Sequence, residues 1–162
     1  MNRLDRMIAR LTAQRACLAR AAELIADLPG PVLEIGFGMG RTYSFLREIL
    51  PDREIYAFDI DGAPDTDWGP DAEHFFAGDF RESFAQVLER TGAPAALAHC
   101  DIGSEDAARD AELVAWMREA LPRLLGDKAI VVSDRDLAPD TATSLETPEN
   151  AGDWPYFMYR QK

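Results

Sequence analysis

The sequence predicts an α/β fold, a doubly wound three-layer sandwich around a mostly parallel sheet, with an antiparallel strand at its C-terminal end. Short apolar runs of strand length alternate with segments in which apolar residues recur every three or four positions. Each of the first five runs also ends near an acidic residue: Glu34, Asp59, Asp79, Asp101 and Asp134. Because ligands bind at the carboxyl ends of parallel strands, this row of acids predicts where the functional site lies.

The elements follow from periodicity and from the residues that interrupt it. A helix is predicted over residues 3–27, where apolar side chains recur at three- and four-residue steps until Pro29-Gly30-Pro31 ends the pattern. The rest are strand 31–35, helix 41–50, strand 54–58, loop 62–72, strand 74–77, helix 81–90, strand 95–100, helix 105–120 with Ser104 as its N-cap and Glu105 and Asp106 in its first turn, strand 129–133, a loop with one strand over 137–153, and a final strand 156–160.

Composition and charge exclude several classes of protein. The chain has 162 residues and a net charge of −12, which disfavours binding to a phosphate backbone. No apolar run is long enough to cross a membrane, and no secretory segment is evident. Cys17 and Cys100 have no paired spacing, so we expect two reduced thiols and a cytoplasmic protein.

The positive charge is concentrated at the start of the chain. Residues 1–20 hold five arginines against Asp5, which gives +5 − 1 = +4 and leaves −12 − 4 = −16 for the remainder. Two interpretations are open. The arginines could form a basic arm that binds an anion or an acidic partner, or they could cover the solvated face of a helix.

The most informative motif is Glu34-Ile35-Gly36-Phe37-Gly38-Met39-Gly40, which follows a buried strand and precedes a helix. Glycines at alternate positions let backbone N–H groups approach a ligand closely, and the helix N-terminus beyond them favours a charged, nucleotide-like molecule. The dinucleotide fingerprint G-x-G-x-x-G fails, because Arg41 occupies its last position. This counts against an NAD-dependent oxidoreductase, which we keep as a less favoured alternative.

Four segments resemble, in order and spacing, the class I S-adenosylmethionine-dependent methyltransferases. They are the glycine motif, Ile55–Asp59, Phe75–Phe80 and the stretch 120–134, which has Lys128 where the family often has a second glycine. The resemblance covers residues 30–136 and includes compact bacterial members. It implies a Rossmann-like fold and S-adenosyl-L-methionine as the cofactor. The length of the chain predicts one domain over 1–162, with an N-terminal helix region 1–28, a cofactor-binding core 31–136 and a C-terminal strand region 137–162.

The resemblance also implies roles for individual residues. Asp59 would accept hydrogen bonds from the ribose hydroxyls, and Asp79 would contact the adenine amino group. Asp101 is the candidate catalytic residue, which either orients or deprotonates the acceptor, or else only stabilises its loop. His99 falls inside a strand, where a packed histidine is expected. The cofactor-binding residues are expected to be Glu34, Gly36, Phe37, Gly38, Gly40, Asp59, Ile60, Asp79 and Phe80.

Two further features leave alternatives open. Catechol-type O-methyltransferases hold Mg²⁺ with acids after the fourth and fifth strands, where this chain has Asp101, Asp134 and Asp136. Arg135 stands where that pattern has Asn, so we predict no metal. The aromatic residues near the C-terminus could form an acceptor wall, or pack as a strand, including at a contact in a homo-oligomer; they are Trp154, Tyr156, Phe157 and Tyr159.

The function expected from the sequence is methyl transfer to a small-molecule acceptor, with no nucleic-acid or membrane partner. A protein that binds S-adenosylmethionine for regulation without catalysis is the alternative, because no clear acid–base pair is evident.

Overall fold

A seven-stranded sheet forms the centre of the computed structural model, which describes residues 1–62 and 66–162. The strands lie in the order β3-β2-β1-β4-β5-β7-β6. They are β1 (Val32–Ile35), β2 (Ile55–Asp59), β3 (Phe75–Ala77), β4 (Ala95–Cys100), β5 (Leu125–Ser133), β6 (Ala142–Leu145) and β7 (Phe157–Gln161). The helices are α1 (Arg3–Leu24), α2 (Arg41–Ile49), α3 (Phe80–Ser83), α4 (Val87–Thr91) and α5 (Ala107–Ala120).

The pairing of the strands confirms the predicted fold class. Strands β1 to β5 are mutually parallel, and β7 lies antiparallel between β5 and β6. The strand order changes direction between β1 and β4, which are neighbours although two strands separate them in the chain. In their register Glu34 faces His99 and Ile35 faces Cys100, so Gly36 and Asp101 leave the sheet side by side. This is the switch point at which open sheets of this kind bind ligands.

Each strand sends alternate side chains to the two faces of the sheet, which creates two cores. On one face Val32 and Leu97 pack against α1 and α2, and on the other Leu33 and Ala98 pack against α5 and the α3–α4 segment. Burial of one such large apolar side chain stabilises the fold by about 1.5–3 kcal/mol. The apolar strands therefore fix the sheet between two helical layers.

Two predicted helices differ from the structure. The helix predicted over 81–90 consists of α3, a 3₁₀ turn and α4, and it ends where Gly92 adopts a φ of 69°. Helix α5 begins at Ala107 with Asp106 as its N-cap, so placing Ser104 at the cap, and Glu105 and Asp106 in the first turn, was wrong. Ser104 instead donates its backbone N–H to the Asp110 carboxylate at 3.0 and 2.9 Å. The loop predicted over 62–72 includes residues 63–65, which lie outside the described part of the chain.

Strand β5 is longer than predicted because pairing continues toward its start, where Ala95 faces Leu125. The register shifts between Ala95 and Leu97, and Lys128 of β5 has a φ of 62°. Lys128 thus takes the left-handed conformation that glycine adopts most easily. Cys17 and Cys100 are buried free thiols, as predicted. No helix in the described ranges is long and apolar enough to cross a membrane.

Candidate active site

A groove runs along the carboxyl ends of the parallel strands. It consists of two cavities of about 270 and 260 Å³ that share Gly36, Asp59, Asp101 and Gly103 as lining residues. The first extends under α1, and the second extends toward β3 and α5. A larger hollow of about 870 Å³ lies at the opposite edge of the sheet, where residues such as Pro31 and Glu54 precede their strands. We assign the site to the groove, because ligands of parallel sheets bind at the carboxyl edge.

The three glycines of the motif differ in what a side chain at each position would meet. A side chain at Gly36 would collide with the backbone carbonyl of Asp101, and one at Gly40 would meet the indole of Trp68 at 2.5 Å. At Gly38 a Cβ would meet nothing within 4 Å, although the φ of 52° still favours glycine. Gly36 is therefore required by the packing of the backbone, and Gly40 leaves room for the rings of Trp68 and Phe37, whereas Gly38 leaves space in the groove.

Asp59 joins the glycine loop to the end of β2. Its carboxylate accepts a hydrogen bond from the backbone N–H of Gly38 at 2.7 Å and one from Asp61 at 3.1 Å. These bonds fix the carboxylate at the point where the two cavities meet. Further along the second cavity, Asp79 accepts from the N–H of Arg81 at 2.8 Å and lies beside Ile60 and Phe80.

Glu34 lies behind the glycine loop and is fully buried. One of its carboxylate oxygens accepts a hydrogen bond from the hydroxyl of Thr42, and the other lies 2.7 Å from Nδ1 of His99. Glu34 and Gly40 line neither cavity, whereas the other residues predicted to bind the cofactor line at least one of them. Thr42 does line the first cavity, so Glu34 reaches the groove through that hydroxyl.

A buried chain of hydrogen bonds continues from Glu34 to the mouth of the groove. Nε2 of His99 lies 2.7 Å from the hydroxyl of Tyr156, and the Gln14 amide lies 3.1 Å from that hydroxyl and 3.1 Å from Asp101. With the hydrogen of His99 on Nδ1, every donor has an acceptor, since Tyr156 donates to Nε2 and Gln14 donates to both oxygens. Burial opposes a charge on His99, but the adjacent Glu34 carboxylate outweighs it and raises the pKa of His99.

Asp101, the predicted catalytic residue, is held from two directions. The guanidinium of Arg10 donates to one oxygen of its carboxylate, and Gln14 donates to the other. Both partners come from α1, so this helix sets the position of the carboxylate in the groove. His99 is fully buried one residue position behind the strand end, in agreement with the packed histidine expected from the sequence.

The sequence analysis assigned no role to Gln14 or Thr42, and it did not predict the contacts of Arg10 with Asp101 or of Tyr156 with His99. One signal could have revealed Gln14: it interrupts the apolar face of α1 between Leu11 and Leu18, and a buried polar residue at such a position requires a partner. Of the basic residues at the start of the chain, Arg10 pairs with Asp101 of the same chain, and the binding of an anion or an acidic partner by the others stays a hypothesis.

The acids after β5 support the neighbouring loop. Asp134 accepts from the backbone N–H groups of Ile102 and Gly103, each at 3.0 Å, and burial followed by the charge of Asp101 raises the pKa of Asp134. Asp136 accepts from the Tyr159 hydroxyl at 2.6 Å, and Arg135 donates to Asp110 at 2.9 Å. Within the described ranges, no three histidine, cysteine or carboxylate side chains are grouped so that they could hold a metal ion.

The C-terminal aromatic residues do not form a wall along the groove. Trp154 and Tyr156 pack into the core on the α1 side of the sheet, whereas Phe157 and Tyr159 pack on the α5 side. None of the four lines either cavity. Packing into the two cores, from β7 and from the segment before it, is therefore their observed role, and Tyr156 additionally bonds to His99.

Comparison with known proteins gives a family for this architecture. The sequence profile of a family described as S-adenosyl-L-methionine methyltransferase matches residues 1–161. A crystal structure of an S-adenosyl-L-methionine methyl transferase from Silicibacter pomeroyi superposes with a TM-score of 0.90 at 35% identity, and the match covers 99% of each chain. No curated protein sequence matches the chain.

More distant structures share the fold. The calicheamicin methyltransferase CalS11 superposes with a TM-score of 0.63 at 20% identity, over 91% of this chain and 78% of that one. An O-methyltransferase from Bacillus cereus, solved in complex with S-adenosylhomocysteine (SAH), gives a TM-score of 0.53 at 14% identity, over 90% and 80% of the two chains.

Proposed function

This chain belongs to the S-adenosyl-L-methionine methyltransferase family, and we propose that it transfers the methyl group to a small-molecule acceptor bound between α1 and the glycine loop. S-adenosyl-L-methionine (SAM) is its cofactor, and the protein is an enzyme of the methyltransferase class. The observation that carries the proposal is the groove itself. Its two cavities share Asp59 and Asp101, so a donor in one cavity presents its reactive end to the other.

In this proposal the adenosine of the donor occupies the cavity toward β3. Asp59 accepts hydrogen bonds from the ribose hydroxyls, which a carboxylate can do with two oxygens at once. Asp79 accepts a hydrogen bond from the adenine amino group, and Ile60 and Phe80 contact the ring. The methionine part follows the open backbone at Gly36, Phe37 and Gly38, where no Cβ blocks it at Gly38. Glu34 and Gly40 act indirectly, by holding Thr42 and Trp68 beside the loop.

The acceptor then enters from the side of α1. Methyl transfer is an in-line displacement at a sulfonium carbon, so its rate depends chiefly on how well donor and acceptor are oriented. Asp101, fixed by Arg10 and Gln14, orients the nucleophile of the acceptor or removes its proton. The cavity of about 270 Å³ on this side also receives the methionine part of the donor, so the space that remains within it suits a small molecule or one part of it. The net charge of −12 would repel nucleic acid, and CalS11 acts in calicheamicin biosynthesis on TDP-rhamnose.

Calorimetry tests the donor assignment directly. SAM and SAH should each bind the purified protein at one site, whereas NAD should give no heat of binding. Binding of NAD without binding of SAM would contradict the proposal and would favour the oxidoreductase alternative.

Turnover tests the acceptor side. With methyl-labelled SAM and a pool of small metabolites, the wild-type protein should produce labelled product, whereas a binding protein without catalysis should not. Asp101→Asn should keep donor affinity within about twofold and lower turnover at least tenfold, corresponding to about 1.4 kcal/mol or more. Asp52→Asn, on the exposed opposite edge, is the matched control. Assays with and without chelator test the predicted independence from metal.

A further inference from the structure

The face of α1 that covers the groove continues beyond it into solvent. Leu4, Met7, Ile8 and Leu11 share one side of this helix at three- and four-residue spacing. Leu18 further along that side is fully buried, Leu11 is half-buried, and Met7, Ile8 and Leu4 are 43%, 55% and 68% exposed. An apolar strip of these four side chains therefore leads from the reaction centre to the surface.

The strip is continuous with the proposed acceptor cavity. Met7 and Leu11 line that cavity from α1, and Met39 lines it from the glycine loop while remaining 74% exposed. Methionine side chains are flexible and polarisable, so they adapt to apolar ligands of different shapes. The cavity thus opens onto an apolar path with Met7 and Met39 at its mouth.

The charges at the cavity favour an anion once the donor is bound. Its lining contains two cationic side chains, Arg10 and Arg41, and two anionic ones, Asp59 and Asp101, so these charges sum to zero. SAM adds a sulfonium, an ammonium and a carboxylate, which together contribute one positive charge. An acceptor with one negative charge would restore neutrality in this partly enclosed space.

Arg41 is the side chain placed to meet such an anion. It is the first residue of α2, is exposed, and makes no hydrogen bond or ion pair with the residues that the structure describes. Arg10, in contrast, is already paired with Asp101. The planar guanidinium of arginine offers parallel N–H donors that match both oxygens of a carboxylate.

We propose that the acceptor is an apolar-chain carboxylate, whose carboxylate binds Arg41 and whose chain lies along Met7, Leu11 and Met39. One carboxylate oxygen attacks the methyl carbon of SAM as the bond between that carbon and sulfur breaks, so a methyl ester and SAH form and no proton is transferred. The inference rests on the proposed function. A second copy of the chain fits the strip less well, because paired strips would bring the flanking Arg3 and Arg6 of two copies together. A membrane surface would reach the exposed end of the strip but not Leu11 inside the cavity.

A set of ligands with matched chains tests the head group. The wild-type protein is saturated with a non-transferring analogue of SAM that keeps a positive charge at the position of the sulfonium, so that the charge of the cavity is the one considered above. It is titrated by calorimetry with dodecanoate, dodecanol and dodecylamine, each below its micelle concentration, and with butyrate. Dodecanoate should bind at least tenfold more tightly than each of the other three. Equal affinity for the alcohol and the carboxylate would overturn the charge argument, and equal affinity for butyrate would overturn the role of the strip.

Single-residue variants test the proposed contacts of the carboxylate with Arg41 and of the apolar chain with Met7. Arg41→Gln should weaken dodecanoate about tenfold without changing dodecanol or SAH. If SAH weakens instead, Arg41 belongs to the donor and the proposal fails. Met7→Ser should weaken dodecanoate and dodecanol alike, whereas Leu88→Ser, an exposed apolar residue on α4, should change neither.

Two further measurements test whether a second copy of the chain or a membrane covers the apolar strip, and whether a failure concerns the donor or only the acceptor. Sedimentation of wild type and Leu4→Ser should show the same oligomeric state, and vesicles of anionic phospholipid should not retain the protein; a dimer lost in Leu4→Ser, or retention on vesicles, would overturn the proposal. Titration of the same protein with SAM distinguishes a failure of the proposed function from a failure of the proposed acceptor. If SAM fails to bind, the proposed function is wrong, whereas SAM binding without dodecanoate binding removes only the carboxylate acceptor.

Discussion

The hydroxyl of Tyr156 lies 2.7 Å from Nε2 of His99, and this buried contact joins the segment before β7 to the central strand β4. The same hydroxyl lies 3.1 Å from the Gln14 amide, so a single side chain connects α1, the sheet and the C-terminal segment. The Glu34 carboxylate and Asp101 lie at the two ends of this hydrogen-bonded chain. The positions of both acids therefore depend on a residue that lines neither cavity.

Tyr156→Phe should lower the free energy of unfolding by about 1–3 kcal/mol, because it removes the hydroxyl that bonds to the buried Nε2 of His99 and leaves the Gln14 amide with Asp101 as its acceptor. Urea denaturation at neutral pH measures this loss. Tyr159→Phe, whose hydroxyl bonds to the partly exposed Asp136, is the control and should cost less. A loss below about 0.5 kcal/mol for Tyr156→Phe would show that the chain of bonds contributes little.

The glycine loop predicts opposite outcomes for two similar substitutions. Gly36→Ala places a Cβ against the Asp101 backbone and should prevent stable folding. In Gly38→Ala the new Cβ meets no protein atom within 4 Å, so the protein should fold. Its free energy of unfolding should fall by about 1–2 kcal/mol, because alanine must adopt the left-handed φ of this position. Its affinity for SAM should nevertheless fall at least tenfold. Circular dichroism and calorimetry distinguish the two, and unchanged SAM affinity in folded Gly38→Ala would place the donor elsewhere.

Asp59→Ala should weaken SAM roughly tenfold or more, because hydrogen bonds to a charged group contribute about 1.5–3 kcal/mol. The variant also removes the acceptor of the Gly38 N–H, so the loop loses a contact that holds it in place. Asp52→Ala on the opposite edge should bind SAM normally. A change of less than about twofold for Asp59→Ala would contradict the ribose assignment.

Asp110 predicts a pH dependence of stability. Its carboxylate is largely buried, which alone would raise its pKa, but hydrogen bonds from Ser104 and the Arg135 guanidinium outweigh this and lower the pKa below the ordinary 3.8. Because the folded pKa is the lower one, the stabilisation is fully present above pH 3.8 and is lost as the pH falls through the folded value. Asp110→Asn should thus cost about 1–3 kcal/mol at pH 7 and progressively less in acid. Urea titrations across pH measure the difference, and a constant difference would contradict the assignment.

Lys128→Gly should stabilise the protein. The lysine has a φ of 62°, and an L side chain in that conformation costs roughly 1–2 kcal/mol, whereas glycine loses about 0.5–1 kcal/mol of backbone entropy. We expect a net gain of up to about 1 kcal/mol in urea denaturation, with no change in SAM affinity because Lys128 lines neither cavity. A destabilised variant would contradict this prediction and would mean that other contacts of the lysine stabilise β5.

Where apolar runs end at strong breakers, the sequence predicted the structure closely. Strand β4 has the predicted bounds, because Pro94 and Asp101 flank six buried residues. The glycine loop and Asp59 were also placed together correctly, because strand ends of a parallel sheet converge. The helix over 81–90 was not predicted as three pieces, since its apolar spacing fits one continuous helix as well.

The parts of the site contributed by distant segments could not be predicted. The contacts of Gln14 with Tyr156 and of Arg10 with Asp101 join residues whose proximity depends on how α1 packs across the sheet. Such packing leaves no periodic pattern in the sequence. The metal alternative illustrates the same limit, because Asp136 follows β5 as that alternative requires, yet its carboxylate bonds to Tyr159.

The contact between Gln14 and Tyr156 spans 142 positions of the chain, and this has a consequence for synthesis on the ribosome. All residues that line the groove have been translated once the ribosome has passed Leu113. Tyr156, which bonds to the Gln14 amide and the His99 ring, is translated later. A nascent chain that pauses before Tyr156 holds both polar groups without the hydroxyl that joins them, and keeps only the bonds of Gln14 to Asp101 and of His99 to Glu34. The last segment to be translated therefore completes the support of Asp101, so truncated products should lack a properly formed centre.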